Sequence, residues 1–399
     1  MLPYIKSILA YVGAIGIVGV AVFLFANSYT TSDLRDSLPG NATTSTAQTL
    51  KPQDTEVSSP QEIPPQVAKP EKAPVSQQKP TSPPASSASS PSTSTTNGEP
   101  SANNNIERIQ SPYSFPPYSF ELVNVEARAA LVNISCSMNT GNTRRIVVAS
   151  GVFIDQRGII LTNAHVAQYI LLSNNLNLNL TCTIGSGSPA RPRWIAEILY
   201  IPPVWVREHA RNITEEVSTG TGEHDYALLR VTGTQDGSAL PPTFPSLSPD
   251  TREAIGFPGD SILTASYPAE FLEGSKAQFE LYPITSITTV RELLTFESYD
   301  VDLISVGGIA GAQGGSSGGG VVNAWGQLIG IITTTSEGAT TAERDLRAIT
   351  LNYIDRDLTA QTGSGLSALL SGDITAKAAD FNAYEASSLI NLLIEEISN

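Results

Sequence analysis

Short runs of branched and aromatic residues recur between residue 112 and about residue 355, and turn-forming residues separate them. Runs of this length and spacing are typical of β-strands, and few helical stretches interrupt them. They predict an all-β region built as a sandwich or a pair of small antiparallel barrels rather than from βαβ units. The runs that we interpret as strands are RRIVVASGVFI, GIILTNA, YALLRVTG, REAIGF, AQFELY, ELLTFES, VDLISVGG, GVVNAWG, QLIGIITTT and RAITLNYI.

An uncharged apolar segment at residues 8–26 lies close to the N-terminus. As a helix it spans roughly 28 Å, which is close to the hydrocarbon thickness of a bilayer. Lys6 and the amino terminus precede it and mixed charges follow it, so positive charge favours a cytoplasmic N-terminus and an exported remainder. We predict a transmembrane anchor within residues 1–29, and a cleaved signal peptide is the alternative.

Composition divides the rest of the chain into three segments. Residues 30–110 are rich in Pro, Ser, Thr, Gln and Ala, and because they have few large apolar side chains to bury, we predict a disordered stalk. Residues 111–365 hold the β-rich domain, and residues 366–399 form a helical segment. We expect its helix to pack on the barrels, whereas binding to a partner is the alternative. The residues on one face of that helix are Ile374, Ala378, Phe381, Leu389, Leu392, Leu393 and Ile397.

Charge and cysteine content exclude several classes of function. The net charge is −15 and no basic stripe occurs, so a nucleic-acid partner is excluded because phosphates need a basic face. Cys136 and Cys182 are too few for a Cys-rich metal module, and we predict no metal and no cofactor. Export across the membrane favours a disulfide between these cysteines, and two buried free thiols are the alternative.

The heptapeptide GGSSGGG at residues 314–320 has the composition of a flexible linker. It nevertheless lies between two apolar runs that are predicted to be core strands. Glycines let the backbone turn so tightly that consecutive N–H groups point the same way, and such a cradle can hold the oxyanion of a tetrahedral intermediate. We therefore interpret the heptapeptide as a functional turn.

A serine hydrolase also needs a histidine base and a carboxylate that orients it. The chain has three histidines, His165, His209 and His224. His165 stands where a predicted strand meets a short helix, and a structural histidine is the alternative there. Asp225 precedes the apolar run YALLRV, where a buried carboxylate needs a donor such as a histidine N–H. An ordinary turn residue is the alternative for Asp225, and His224 is predicted to be its surface neighbour.

Three segments in this order, LTNAHV, HDYALLRV and GSSGGGVVNAWGQLIGI, resemble the signature segments of chymotrypsin-fold serine proteases. AIGFPG and ITLNYI are further similar to the bacterial HtrA-type branch. The resemblance covers about residues 125–355, and we expect no PDZ domain after it. It implies two six-stranded antiparallel β-barrels with a C-terminal helix, preceded here by the anchor and the stalk.

The same resemblance implies the catalytic roles. The general base falls on His165, the orienting carboxylate on Asp225 and the nucleophile on Ser317. The oxyanion donors fall on the backbone N–H groups of Gly315 and Ser317. Ser316 stands where the family has Asp or Asn, so activation through a buried Asp is not expected.

Substrate preference also follows from the resemblance. Gly311 and Ala312 fall near the base of the pocket for the side chain before the scissile bond, and Thr333, Thr334 and Thr335 fall along one wall. No acidic residue stands at the base to pair with Arg or Lys. We therefore expect a preference for small or medium apolar side chains.

Together these features predict a membrane-anchored, extracytoplasmic serine endopeptidase that acts on proteins or peptides. The alternative is a protease-like binding module whose triad no longer catalyses. The stretch of chain from residue 185 to residue 222 is longer than the resemblance leads us to expect, and we predict that it forms a surface insertion near the cleft.

Overall fold

The computed structural model describes the second part of the chain. The described residues are 108–109, 111–140, 143–173, 178–215, 220–253, 256–272, 280–296, 300–335 and 340–398. The predicted anchor at 8–26 and all but two residues of the predicted stalk lie outside them. None of the described helices combines the length and the apolarity that crossing a bilayer requires.

Six antiparallel strands form a closed barrel, here called the first barrel, with strand order β1-β2-β3-β6-β5-β4. The hairpin between β2 and β3 turns at Gly158, whose φ of +86° favours glycine and whose N–H donates to the Asp155 carbonyl at 3.0 Å. The closed barrel confirms the first of the two predicted barrels. Its strands are β1 (Leu131–Thr140), β2 (Thr143–Asp155), β3 (Ile159–Thr162), β4 (Leu180–Ser186), β5 (Arg191–Tyr200) and β6 (Ala227–Thr234).

Seven further antiparallel strands form the second sheet, with strand order β8-β7-β11-β12-β13-β10-β9. They are β7 (Ser261–Ser266), β8 (Ile284–Thr289), β9 (Glu292–Leu294), β10 (Leu303–Gly307), β11 (Gly320–Asn323), β12 (Leu328–Thr335) and β13 (Leu346–Thr350).

The two end strands of the second sheet, β8 and β9, are separated in the chain by Val290 and Arg291 alone. The Val290 N–H donates to the Asp260 carbonyl beside β7, whereas the Arg291 N–H donates to the Ser305 carbonyl in β10. The chain thus bends from one end of the sheet to the other, and the sheet is curled. The prediction of six strands here is wrong, because this bend divides one chain segment into two strands.

A disulfide joins Cys136 in β1 to Cys182 in β4. The two cysteines are paired directly across the strand contact that closes the first barrel. Their sequence separation is 46 residues. In the chain-entropy account, a loop of this length stabilises the fold by about 4 kcal/mol.

Helices flank the two β-structures. Helix α1, which the sequence did not lead us to expect, begins after Ser119, whose hydroxyl accepts the Leu122 N–H. The helices are α1 (Phe120–Ala130), α2 (Ala164–Ser173), α3 (Pro203–His209), α4 (Leu351–Thr362), α5 (Leu366–Leu370), α6 (Ile374–Phe381) and α7 (Ser387–Ser398). A 3₁₀ turn at Ala210–Thr214 follows α3, and a π-helical turn at Asn382–Ala386 joins α6 to α7.

The predicted C-terminal helix corresponds to α6, the π-helical turn and α7. It packs on the first barrel as expected: Phe381 contacts Tyr200 of β5 edge-on, with 6.1 Å between ring centroids. The residues of the predicted apolar face that are buried in the barrel's core cluster are Ile374, Ala378, Phe381, Leu389 and Leu393, and Leu392 and Ile397 are partly buried against it.

Several local predictions are wrong. The described parts of REAIGF and AQFELY contain no strand. The run RAITLNYI is a strand only as far as Thr350, whose hydroxyl accepts the Tyr353 N–H and caps α4.

The predicted surface insertion at 185–222 is also wrong. It supplies β5, which pairs with β4 and β6 inside the first barrel. It then continues into α3, whose Trp205 and Val206 are buried in the core. The stretch is therefore part of the barrel and its cover.

Candidate active site

His165 lies at the start of α2, three residues after β3 ends at Thr162. The strand is fully buried between its neighbours, so it supports the histidine rigidly. Asn163 precedes the helix and donates its side-chain N–H to the Asp225 carbonyl at 2.8 Å. This contact ties the start of α2 to the loop before β6.

Asp225 lies two residues before β6 begins, and only 5% of its surface is exposed. One carboxylate oxygen accepts the His165 backbone N–H at 2.9 Å. The other lies 2.8 Å from His165 Nδ1 and accepts the Thr333 hydroxyl at 2.8 Å. The structure therefore brings His165 and Asp225 together, as the sequence predicts.

Two opposing effects act on the pKa of Asp225. Burial raises this pKa, but the positive charge that the His165 ring can carry and the hydrogen bonds from His165 and Thr333 outweigh burial and hold it below its usual value. The carboxylate is therefore ionised at neutral pH and fixes a proton on His165 Nδ1. Nε2 of the same ring is left as the basic nitrogen.

The backbone of the Ser317 turn is hydrogen bonded to one strand of each β-structure, β2 and β12. Ser150 on β2 donates its N–H to the Ser317 carbonyl at 2.8 Å. The Gly318 N–H donates to the carbonyl of Ile332 on β12 at 2.8 Å, and the next residue along β12 is Thr333. Ile332, which binds the turn, is therefore the neighbour along β12 of Thr333, whose hydroxyl donates to Asp225.

Gly318 packs so closely on the first barrel that no side chain fits there. Its φ is +80°, and an added Cβ would lie 2.1 Å from the Ser150 carbonyl oxygen and 2.4 Å from Thr162 Oγ1.

Within the described part of the chain, no hydrogen bond joins the Ser317 hydroxyl to the His165 ring. Such contacts are often long in unliganded enzymes and tighten when substrate binds.

The two adjacent serines differ in their surroundings. Ser316 is 1% exposed, its hydroxyl donates to the Gly311 carbonyl, and the Ser266 hydroxyl donates to it at 3.2 Å. Ser317 is half-buried, and its hydroxyl has no hydrogen-bond partner among the described residues. Ser317 is therefore the serine whose hydroxyl is available to a ligand.

The backbone N–H groups of the turn also fall into two sets. Those of Gly314, Ser316, Gly318 and Gly319 donate to protein oxygens. Those of Gly315 and Ser317 have no acceptor among the described residues. These two are the predicted oxyanion donors, and unpaired N–H groups beside an available hydroxyl can stabilise an anionic oxygen.

The predicted pocket residues lie on both sides of this turn. Gly311 and Ala312 are buried before it. Thr333 is 7% exposed and its hydroxyl donates to Asp225, a role that no sequence signal indicated. Thr334 and Thr335 follow on β12, and their side chains lie outside the described residues.

The other two histidines lie outside this arrangement. His209 stacks on Trp205, with 5.2 Å between ring centroids. The expectation that His224 is a surface residue is wrong, because it is half-buried, its Nδ1 lies 2.9 Å from Asp357, and its backbone N–H donates to the Tyr353 hydroxyl at 3.0 Å. Its φ of +57° is held by these contacts from α4.

One family model matches the part of the chain that holds this arrangement. Residues 149–331 match the family model of the trypsin-like peptidase domain. The two β-structures form a trypsin-like peptidase domain. The match begins in β2 and ends in β12, so it runs across both β-structures and contains His165, Asp225 and Ser317.

The trypsin-like peptidase domain, together with the closed barrel and the curled second sheet, shows the chymotrypsin-like fold. The match to this family implies a hydrolase of the serine protease type. A search of the curated proteins found no match. In the described residues, no group of three or more His, Cys, Asp or Glu side chains is arranged to hold a metal ion.

Proposed function

We propose that this chain is a membrane-anchored serine endopeptidase whose trypsin-like domain acts outside the cytoplasm. The catalytic part is supported by two observations. The buried Asp225 carboxylate lies on His165 Nδ1, and the unpaired N–H groups of Gly315 and Ser317 flank an available serine hydroxyl. A base, its orienting carboxylate and an oxyanion site are the parts that acyl transfer requires.

In the first half of the reaction, Ser317 Oγ forms a bond to the substrate carbonyl carbon while His165 Nε2 takes the hydroxyl proton. The oxygen of the tetrahedral intermediate accepts hydrogen bonds from the Gly315 and Ser317 N–H groups. His165 then gives its proton to the leaving nitrogen, the C–N bond breaks and an acyl-enzyme remains. Asp225 stays ionised and stabilises the imidazolium.

In the second half, a water molecule attacks the acyl-enzyme and gives a proton to His165 Nε2. The same nitrogen returns the proton to Ser317 Oγ when the ester bond breaks. Each residue ends the cycle as it began. All proton transfers use one imidazole nitrogen, so the Nδ1 contact with Asp225 is kept throughout.

The anchoring part of the proposal is supported by sequence alone. The uncharged segment at 8–26 has the length of a membrane span, and the Pro/Ser/Thr-rich segment after it resembles a stalk in composition. Substrates are then proteins or peptides outside the cytoplasm. The closer similarity to the HtrA-type branch stays a prediction from the motifs.

The substrate preference that we propose is for small or medium apolar side chains before the scissile bond. It is supported by Gly311 and Ala312, which bring no acidic group to the predicted pocket base. Cleavage of a peptide library by the purified protein measures this preference directly. Dominant cleavage after Arg or Lys would contradict it.

Labelling with a fluorophosphonate probe tests the function. The wild-type protein is expected to be labelled and Ser317→Ala is not, whereas Ser316→Ala, which alters the buried neighbour, keeps the nucleophile and the label. Absence of labelling in the folded wild-type protein would instead favour a protease-like binding module. Equal labelling of Ser317→Ala and wild type would exclude Ser317 as the nucleophile.

A further inference from the structure

The peptide between Gly314 and Gly315 carries one of the two oxyanion donors, and both of its residues are glycines. Gly314 is exposed, and Gly315 has a φ of +93°. Glycine populates both signs of φ readily, so this peptide has little intrinsic reason to keep one orientation. Some contact outside the turn must therefore fix the direction of the Gly315 N–H.

Two neighbouring residues after β7 hold Gly314 at both of its backbone groups. The Ala269 N–H donates to the Gly314 carbonyl at 2.8 Å. The carbonyl and the N–H of one trans peptide point in opposite directions, so this bond directs the Gly315 N–H away from Ala269. The Gly314 N–H in turn donates to Glu270 Oε2 at 3.0 Å.

Arg344, just before β13, fixes the Glu270 carboxylate. The two side chains form a bidentate salt bridge, in which Nη1 lies 2.5 Å from Oε2 and Nη2 lies 2.7 Å from Oε1. Nη1 also donates to the Ala312 carbonyl at 3.0 Å. One guanidinium therefore joins the Glu270 carboxylate to the backbone two residues before Gly314.

The pair is well placed to restrain the turn at neutral pH. The hydrogen bonds from Arg344 hold the pKa of Glu270 below its usual value, so the carboxylate is ionised. A planar guanidinium that meets a carboxylate at two points adds directional restraint as well as attraction. The glycines and serines of the turn carry no charge, so the ionic restraint on the turn comes from Glu270 and Arg344.

We propose that Glu270 and Arg344 are positioning residues that hold Gly314 through its N–H, on the peptide just before the one that carries the donor, and so help to fix the orientation in which the Gly315 N–H faces the oxyanion. This inference rests on the proposed function of the same site. Neither residue touches the reacting atoms. Their loss should destabilise the transition state more than it lowers the affinity for substrate. The reason is that the Gly315 N–H binds the oxyanion but is not needed to bind the rest of the substrate.

The test uses the purified full-length protein and Glu270→Ala, with a peptide substrate taken from the library profile. We expect kcat to fall about tenfold while KM changes less than about twofold, since complete loss of an oxyanion donor costs about 10²–10³ in kcat. The affinity for a peptide aldehyde, which forms a tetrahedral adduct, should fall by the same factor as kcat/KM. Glu270→Gln keeps an oxygen that can accept the Gly314 N–H, so its kcat should fall only about threefold.

Glu385→Ala is the matched control, because Glu385 pairs with Arg207 at 3.5 Å on the surface beside α3 and α7. It should leave kcat unchanged. If Glu270→Ala does not fold, Arg344→Lys keeps the charge but loses the two-pronged contact, and kcat should fall about threefold at an unchanged melting temperature.

Three results would overturn the inference: wild-type kcat and aldehyde affinity in the Glu270 variants, an effect on KM alone, or an equal loss in the control. Failure of the proposed function has a different signature. If wild type does not turn over the substrate, or turns it over as well as Ser317→Ala does, the function fails and the positioning role fails with it.

Discussion

The first barrel and the second sheet contribute to the site in different ways. The first barrel is closed, carries a disulfide across its closing strands, and presents His165 and Asp225 from the ends of two adjacent strands, β3 and β6. The second sheet is curled and presents Ser317 from a glycine-rich turn before β11. The acid–base pair thus lies beside the ends of buried strands, whereas the nucleophile turn is positioned by hydrogen bonds to its backbone.

The largest effect should come from the first barrel. Asp225→Asn keeps the side-chain shape but removes the charge that fixes the His165 tautomer, so kcat should fall by about 10⁴ with the fold intact. Steady-state kinetics and thermal unfolding measure both quantities.

Asp357→Asn is the matched control for Asp225→Asn, because Asp357 is also a buried carboxylate paired with a histidine. It should change kcat by less than about threefold, an amount typical of a change outside the reacting groups. Equal losses of kcat in the two variants would contradict a special role for the pair of Asp225 and His165.

A smaller effect should come from the contact between the two β-structures. In Gly318→Ala the new Cβ would meet the Ser150 carbonyl oxygen at 2.1 Å at a φ of +80°, so the free energy of unfolding should fall by about 3 kcal/mol or more. Urea unfolding measures the loss. Gly237→Ala separates the clash from the backbone strain, since Gly237 has a φ of +74° and open space around it, and it should cost only about 1 kcal/mol.

The smallest effect should be the pH dependence of stability, in which Asp225 before β6 and Asp357 in α4 act through different groups. The hydrogen bond to Asp357 raises the pKa of His224. Its contribution is therefore complete below the unfolded-state pKa of about 6.5 and is lost as the pH rises through the folded-state pKa. The pKa of Asp225 is lowered, so its contribution is present above about pH 3.9 and is lost as the pH falls through its folded-state value.

The free energy of unfolding, measured from below about pH 3.9 to above about pH 6.5, distinguishes the contribution of Asp225 from that of His224. Asp357→Asn should flatten the alkaline decline and leave the acid decline in place, and Asp225→Asn should do the reverse. An alkaline decline that survives in Asp357→Asn would exclude His224 as its source.

The structure shows the pairing of His165 with Asp225 that the sequence predicts. The strand ends beside them are visible in the residue pattern, but the residues alone left a structural histidine and an ordinary turn residue open, and the two roles came from the resemblance of the flanking segments. The role of Thr333 could not be predicted, because its contact with Asp225 spans 108 positions along the chain. The same is true of Glu270 and Arg344, which are 74 positions apart.

The errors in the fold have equally specific causes. Strand β5 was missed because Arg191 and Arg193 on its exposed face and the prolines beside it hide the apolar residues that it buries. The bend at Val290 and Arg291 has no residue signature, because it is defined by the strands with which the chain pairs on either side, β7 before the bend and β10 after it. Helix α4 was missed because its first residues, LNYI, continue the apolar character of β13.

The hydrogen bonds from α4 to His224 bear on how this protease can be shortened. Tyr353 and Asp357 fix the residue next to Asp225, and both lie beyond residue 331, where the family match stops. Strand β1, which closes the first barrel, lies before the match begins. An expression fragment trimmed to 149–331 would lose both β1 and the α4 residues that bind His224. A fragment that keeps the barrel closed and His224 in place therefore starts before Leu131 and ends after Asp357.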